Sequence, residues 1–175
     1  MTFKPKIYFT SNVFSPEQIG SNEKISPEIR KKISSLWQEL NEIAELKVFD
    51  GRFPTNEQLK SEFKEFRPNF IGCHLSHPIT LEMIKNLELY AISTSTAGFN
   101  HIERSKIDDI LLTHTPGVLH KTVADYTIAV IMANLRNLID LHQYVWDGHW
   151  TPRDKWDLDQ SLCSTIDKKI VGIVG

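Results

Sequence analysis

Five short apolar runs, each followed by a stretch of helical periodicity or a turn, limit what this chain can fold into. The runs are Lys6–Thr10 (KIYFT), Leu46–Phe49, the NFIGCH segment opened by Pro68, Leu89–Thr94 (LYAIST) and Ile110–Thr113 (ILLT). Runs that are apolar rather than alternating belong to strands covered on both faces. The helical stretches carry their own start signals. Ser26-Pro27-Glu28 places a capping Ser, a Pro at the first helical position and an acid in the first turn. Ile29, Ile33, Leu36, Trp37 and Leu40 then supply the buried stripe of that helix. Thr55 caps a helix bearing Leu59, Phe63 and Phe66 on one side, and Thr80 caps LEMIKNLE. A helical turn is expected over Ser105–Asp109, and SNVFSPEQ reads as a loop. Strands alternating with helices pair in parallel, and crossovers are right-handed. The expected class is therefore α/β: a flavodoxin-like, doubly wound parallel sheet in strand order 2-1-3-4-5, spanning about Lys6 to Pro116.

The stretch from His114 to Trp150 follows. Thr115-Pro116-Gly117 is a turn, because Pro fixes φ and Gly accepts φ > 0. Val123, Ile128, Ile131, Leu135, Leu138 and Leu141 then recur at helical spacing. Ala124, Ala129, Val130, Met132 and Ala133 make the first half apolar nearly all round, so it is expected to be covered on most sides. One long helix should run to Asp147-Gly148, where Gly is the expected breaker. After a charged linker, Lys168–Gly175 (KKIVGIVG) reads as a further strand ending in Gly. That pattern looks like the first strand of a second domain that has been cut off.

Bulk properties exclude several classes. A net charge of −2 with dispersed Lys and Arg offers no basic face for nucleic acid. The most apolar window, Tyr126 to Leu135, is half the roughly 20 residues that span a membrane. No signal peptide is visible, so a cytoplasmic protein is expected, and Cys73 and Cys163 are read as free thiols of a reducing compartment.

Two loops fall where ligands bind in open α/β folds, beyond the carboxyl ends of the strands. Ser95-Thr96-Ala97-Gly98 follows the fourth strand. Small residues ending in Gly let successive N–H groups converge on an anion such as a carboxylate; the alternative is a tight turn with no ligand. His74-Leu75-Ser76-His77 follows the third strand. Its two His residues lack a third metal ligand at suitable spacing, which favours a polar cleft-lining loop. His101, His114, His120, His142 and His149 stand without a local acidic partner, so structural or surface roles are expected of them. Gly172 and Gly175 alone do not make a dinucleotide loop.

Taken in order, ISTSTAGFNHIE, THTPGVLHKTVADYTIAVIMANLRNL, DGHW and KKIVGIVG resemble the D-isomer-specific 2-hydroxyacid dehydrogenases, and most closely their glyoxylate and hydroxypyruvate reductase branch. The resemblance is strong over about Ile92–Gly175 and rests on pattern alone before that. It implies a two-domain enzyme, a homodimer, moving a hydride between NAD or NADP and a small 2-oxo or 2-hydroxy acid. On that resemblance Ala97 and Gly98 hold the substrate carboxylate through their N–H groups, and Leu75 and Ser76 line the other wall. Thr122 and Val123 face the nicotinamide end of the cofactor, and Gly175 is the first glycine of the dinucleotide loop. Asn100 and Glu103 stand where the family usually has Asp, and Asp125 where Glu is common. The family's substrate-orienting Arg, general-acid His and its partner Glu follow the dinucleotide loop, so none of the catalytic residues is expected within these 175 residues. The implied organisation is a substrate-binding domain over 1–117, a connecting helix and dimerisation segment over 118–150, and over 151–175 a linker and the start of a truncated Rossmann-type NAD(P)-binding domain. A different class of reading is a stand-alone flavodoxin-like binding or regulatory domain, or the inactive product of a broken gene.

Overall fold

Four-residue parallel strands make the sheet. The computed structural model describes residues 4–103, 109–153 and 162–174. The strands are β1 (Lys6–Phe9), β2 (Glu45–Val48), β3 (Phe70–Cys73), β4 (Ala91–Thr94) and the three-residue β5 (Leu111–Thr113). They run in the order β2-β1-β3-β4-β5, and each neighbouring pair is parallel. That is the order expected from the alternation of strands and helices.

The helices between the strands are α1 (Pro16–Gly20), α2 (Pro27–Ile43), α3 (Asn56–Phe66) and α4 (Leu81–Ile84). In α3 the start signal is fully formed. Thr55 Oγ1 accepts from the Gln58 N–H at 3.2 Å, and the Gln58 side chain accepts from the Thr55 N–H at 2.8 Å. Its Leu59, Phe63 and Phe66 are buried, with Phe63 edge-on to Tyr8 at 5.2 Å. Around Tyr8 the core continues through Ile71, Cys73, Ile79, Met83, Ile84, Leu89, Ile92 and Ile102.

Several expectations are corrected. The loop after β1 holds a 3-10 turn at Asn12–Phe14 and then α1, started by Ser15, whose side chain accepts from the Gln18 N–H. The α2 stripe is only partly covered: Trp37 is buried against Phe9 and Ile33 and Leu40 are half-buried, but Ile29 and Leu36 are 53% and 48% exposed. This helix meets the β1–β2 side of the sheet, at its edge, where Trp37 packs on the Phe9 ring at 4.7 Å. Thr80 makes no side-chain cap, and α4 is one turn long; Glu103 Oε2 instead accepts from the Leu81 N–H at 3.0 Å. The helical turn expected over Ser105–Asp109 lies largely outside the described residues.

The chain divides into two compact units, Met1–Val118 and Leu119–Gly175. In the second, the expected single helix is two: α5 (His120–Leu135) and α6 (Leu138–Trp146). Asn137 takes the left-handed conformation (φ 47°), which a right-handed helix cannot pass through. The Cys163 thiol donates to the Arg136 carbonyl at this break, at 3.2 Å. The end of α6 is as expected. Gly148 sits at φ 75°, and the bonds Gly148 N–H to Val145 and His149 N–H to Tyr144 close a Schellman motif. No residue of α5 or α6 is buried, so the cover expected around the apolar first half is not supplied by the described residues. The strand expected over Lys168–Gly175 is not formed either. Residues 168–174 are exposed and pair with no neighbour, and a strand has no stability without a ladder partner. Gly175 lies outside the described residues.

Candidate functional site

Parallel strands bring the loops that leave them to one edge of the sheet. Thr10 and Ser11 follow β1, Gly51 and Arg52 follow β2, His74–His77 follow β3, Ser95–Gly98 follow β4 and His114–Thr115 follow β5. Several of these loops are tied to one another by hydrogen bonds, and the bonds reveal two kinds of part.

The first part is a strut. His77 is 1% exposed. Its Nε2 lies 3.1 Å from the Arg52 carbonyl, which can only accept, so Nε2 carries the proton. Nδ1 of the neutral ring then accepts from the Thr10 hydroxyl at 2.8 Å. Ser11 Oγ donates to the same Arg52 carbonyl at 2.9 Å. Burial, above all, holds the imidazole below its ordinary pKa, aided by the nearby His74 and His101. His77 thus joins the loops after β1, β2 and β3 as a neutral ring.

The second part is the loop after β4. Three successive carbonyls are held from the protein side. Thr96 O accepts from the Thr115 N–H at 3.0 Å, Ala97 O from His114 Nδ1–H at 2.8 Å, and Gly98 O from the Thr96 hydroxyl at 2.6 Å. Ala97 and Gly98 are exposed, and their own N–H groups donate to no protein acceptor among the described residues. With its carbonyls bound to the protein, the loop leaves two adjacent amides available to an anion.

Behind that loop the donor inventory orders a relay. The Thr96 proton is engaged by Gly98, so the Thr94 hydroxyl donates to Thr96 Oγ1 at 2.8 Å. His101 Nε2–H then donates to Thr94 Oγ1 at 3.1 Å. His101 Nδ1 is buried without a partner, and burial, with His74 nearby, holds this ring below its ordinary pKa. Cys73 Sγ lies 3.8 Å from His101 Nε2, but burial pushes the thiol up to about 11, so it stays protonated and unreactive.

Of the residues singled out from sequence, Leu75, Ser76, Ala97 and Gly98 stand on loops that leave the hydrogen-bonded neighbours β3 and β4. Leu75 is 57% exposed, and Ser76 is exposed on a turn where its N–H points to His74 Nδ1 at 3.4 Å. Thr122 and Val123 are exposed in the first turn of α5, in the other unit. Among the described residues nothing forms the strand, glycine turn and helix that cradle a dinucleotide pyrophosphate, and Gly172 has no neighbour within 4 Å of where a Cβ would stand. What Ala97 and Gly98 offer chemically is two adjacent backbone N–H donors open to an acceptor such as an anion. Thr94, Thr96, His101 and His114 were not legible as a group in the sequence. Their only signal was that Thr94 and Thr96 stand at and just after the end of β4, with His101 further along the same loop and His114 directly after β5.

Residues 21–169 match the family model described as D-isomer specific 2-hydroxyacid dehydrogenase, catalytic domain. The glyoxylate reductase of Thermofilum pendens is 30% identical over 126 residues, covering 70% of this chain and 36% of that protein. The glyoxylate/hydroxypyruvate reductase B of Escherichia fergusonii is 34% identical over 90 residues, covering 50% of this chain and 27% of that protein. The crystal structure of D-lactate dehydrogenase from Aquifex aeolicus, complexed with NAD and lactic acid, is similar in fold, with a TM-score of 0.57 and 22% identity over 83% of this chain and 38% of that one. The chain thus spans 36% or less of the length of these curated relatives.

Proposed function

This chain belongs to the D-isomer specific 2-hydroxyacid dehydrogenase family, and we propose that its first unit holds the carboxylate of a small 2-oxo or 2-hydroxy acid on the N–H groups of Ala97 and Gly98. One observation carries the reading: the carbonyls of Thr96, Ala97 and Gly98 all accept from the protein while the Ala97 and Gly98 amides do not donate to it. Two adjacent amides without a protein acceptor suit a carboxylate, whose two oxygens each accept strongly. Leu75 and Ser76 form the facing wall in this reading, one apolar and one hydroxylic.

The whole protein is then an oxidoreductase that reduces a glyoxylate- or hydroxypyruvate-like acid with hydride from a nicotinamide cofactor, NAD or NADP. Names of the relatives support that substrate class. In the same reading residues 1–117 are the substrate-binding domain, 118–150 a connecting and dimerisation segment, and 151–175 the approach to the cofactor domain. Thr122 and Val123 lie toward the nicotinamide, Gly175 opens the dinucleotide loop, and the protein is a homodimer. In this reading the first unit binds the acid without turning it over by itself, because two backbone amides, an apolar side chain and a hydroxyl make no acid–base pair.

Titration of the 15N-labelled chain with glyoxylate tests the site. The Ala97 and Gly98 amide signals should move together and saturate, and acetate should compete. A titration that leaves both signals in place at saturating millimolar ligand would remove the reading.

A further inference from the structure

We infer that Thr96 and His114 are positioning residues for this loop: His114 holds from behind the peptide plane that carries the Gly98 N–H, and the Thr96 side chain holds the plane that follows Gly98. The inference rests on the carboxylate reading above for its purpose, but its geometry stands independently.

A trans peptide points its C=O and N–H in opposite directions, so a bond that fixes one carbonyl also aims the next residue's amide. His114 Nδ1–H on the Ala97 carbonyl therefore aims the Gly98 N–H. The Thr115 N–H on the Thr96 carbonyl aims the Ala97 N–H. The Thr96 hydroxyl on the Gly98 carbonyl fixes the plane on the far side of Gly98, and with it the remaining freedom of that residue.

Packing does not do this work. Gly98 is exposed and has no neighbour within 4 Å of where its Cβ would stand, and glycine is the residue with the most backbone freedom to lose. What holds it is hydrogen bonding, and the bonds are anchored in the core. Thr96 is held by Thr94, which is 1% exposed, and Thr94 by His101; His114 is set by the edge of the Phe99 ring at 5.2 Å. The Nδ1–H of His114 faces a carbonyl, so the ring serves as donor whether neutral or charged.

The experiment compares the 15N-labelled chain with Thr96→Val and His114→Phe, each removing one donor at similar size. Thr96→Ser and His114→Asn restore a donor at the same γ or δ position. Two readings are taken: the ligand-free backbone order parameter at Gly98, and the glyoxylate Kd from amide shifts. In the Val and Phe variants Gly98 should fall from a rigid value of about 0.85 to below about 0.6. Glyoxylate binding should weaken about tenfold, the penalty of ordering one free residue on binding, at little change in Tm. The Ser and Asn variants should recover both readings. A rigid Gly98 and an unchanged Kd in both Val and Phe variants would overturn the inference, as would loss of order spread evenly over the sheet. Should one of those two fail to fold, the other decides. If the parent chain does not bind glyoxylate, the carboxylate reading falls, and the order parameters alone still decide whether Thr96 and His114 position the loop.

Discussion

The ring of Phe9 fills the space that a side chain on Gly72 would need. The two residues are register partners on β1 and β3, and a Cβ on Gly72 would stand 2.6 Å from the Phe9 ring. The ring cannot swing away freely, because Trp37 lies 4.7 Å from it and Phe14 5.9 Å. Gly72→Ala should therefore destabilise the chain by about 1–3 kcal/mol, the usual cost of overpacking. Adding Phe9→Leu should return part of that loss. Urea denaturation of the single and double variants is the check, and additive losses would show that the ring is not the obstacle.

That contact marks the boundary of what the sequence disclosed. The apolar runs, the Ser26-Pro27 start and the Thr55 cap lead directly to the strand order, because parallel pairing and right-handed crossovers leave few arrangements. The Gly148 stop is local chemistry and was equally legible. Ser15-Pro16-Glu17 repeats the Ser26-Pro27-Glu28 pattern, so α1 could have been found by the same rule. The break at Asn137 was harder, since apolar spacing continues straight across it and only the tolerance of Asn for positive φ hints at it. Candidate site residues Ala97 and Gly98 were legible as small residues after a strand. Of their supports, Thr94 and His101 lie in the same stretch, but their hydroxyl and ring contacts follow from the path of the loop, and His114 reaches Ala97 only because the fold brings the loop after β5 beside it.

Acidification should weaken the fold through His77. Its folded-state pKa is depressed by burial below the ordinary value of 6.5, so the unfolded chain binds more protons as pH falls past that value. Stability is then full above about 6.5 and declines as pH drops toward the depressed folded value. His101, lowered for the same reason, adds to the slope. Thermal unfolding from pH 8 to 5 should show a falling Tm in the parent chain. His77→Gln should flatten that fall while lowering stability at the upper end; an unchanged slope would place the proton uptake elsewhere.

Asn69 closes the opposite edge of the sheet. Its Oδ1 accepts from the Lys6 N–H at 3.0 Å and its Nδ2 donates to the Glu88 carbonyl at 2.9 Å, so one side chain bridges the entries to β1 and β4. Asn69 is 7% exposed, and water has little access to replace it. Asn69→Leu keeps the volume but strands both backbone groups, at a cost of about 1–3 kcal/mol. Denaturant midpoints should fall with the m-value unchanged, and a loss no larger than a surface substitution would mean that solvent satisfies those groups.

The second unit yields the prediction most directly tied to assembly. Ile128, Leu138, Ile139, Val145 and Trp146 are each more than half exposed, on two adjoining helices. Single exposed apolar residues are ordinary, but so many on two short neighbouring helices are uncommon on a protein that stays monomeric. Under the proposed homodimer, a second copy covers part of this surface around a two-fold axis, so each substitution acts twice per interface. Sedimentation velocity at micromolar concentration should therefore show association beyond monomer, and Leu138→Glu or Ile139→Glu should shift it back. A sharp monomer boundary that neither substitution alters would remove these helices as the interface.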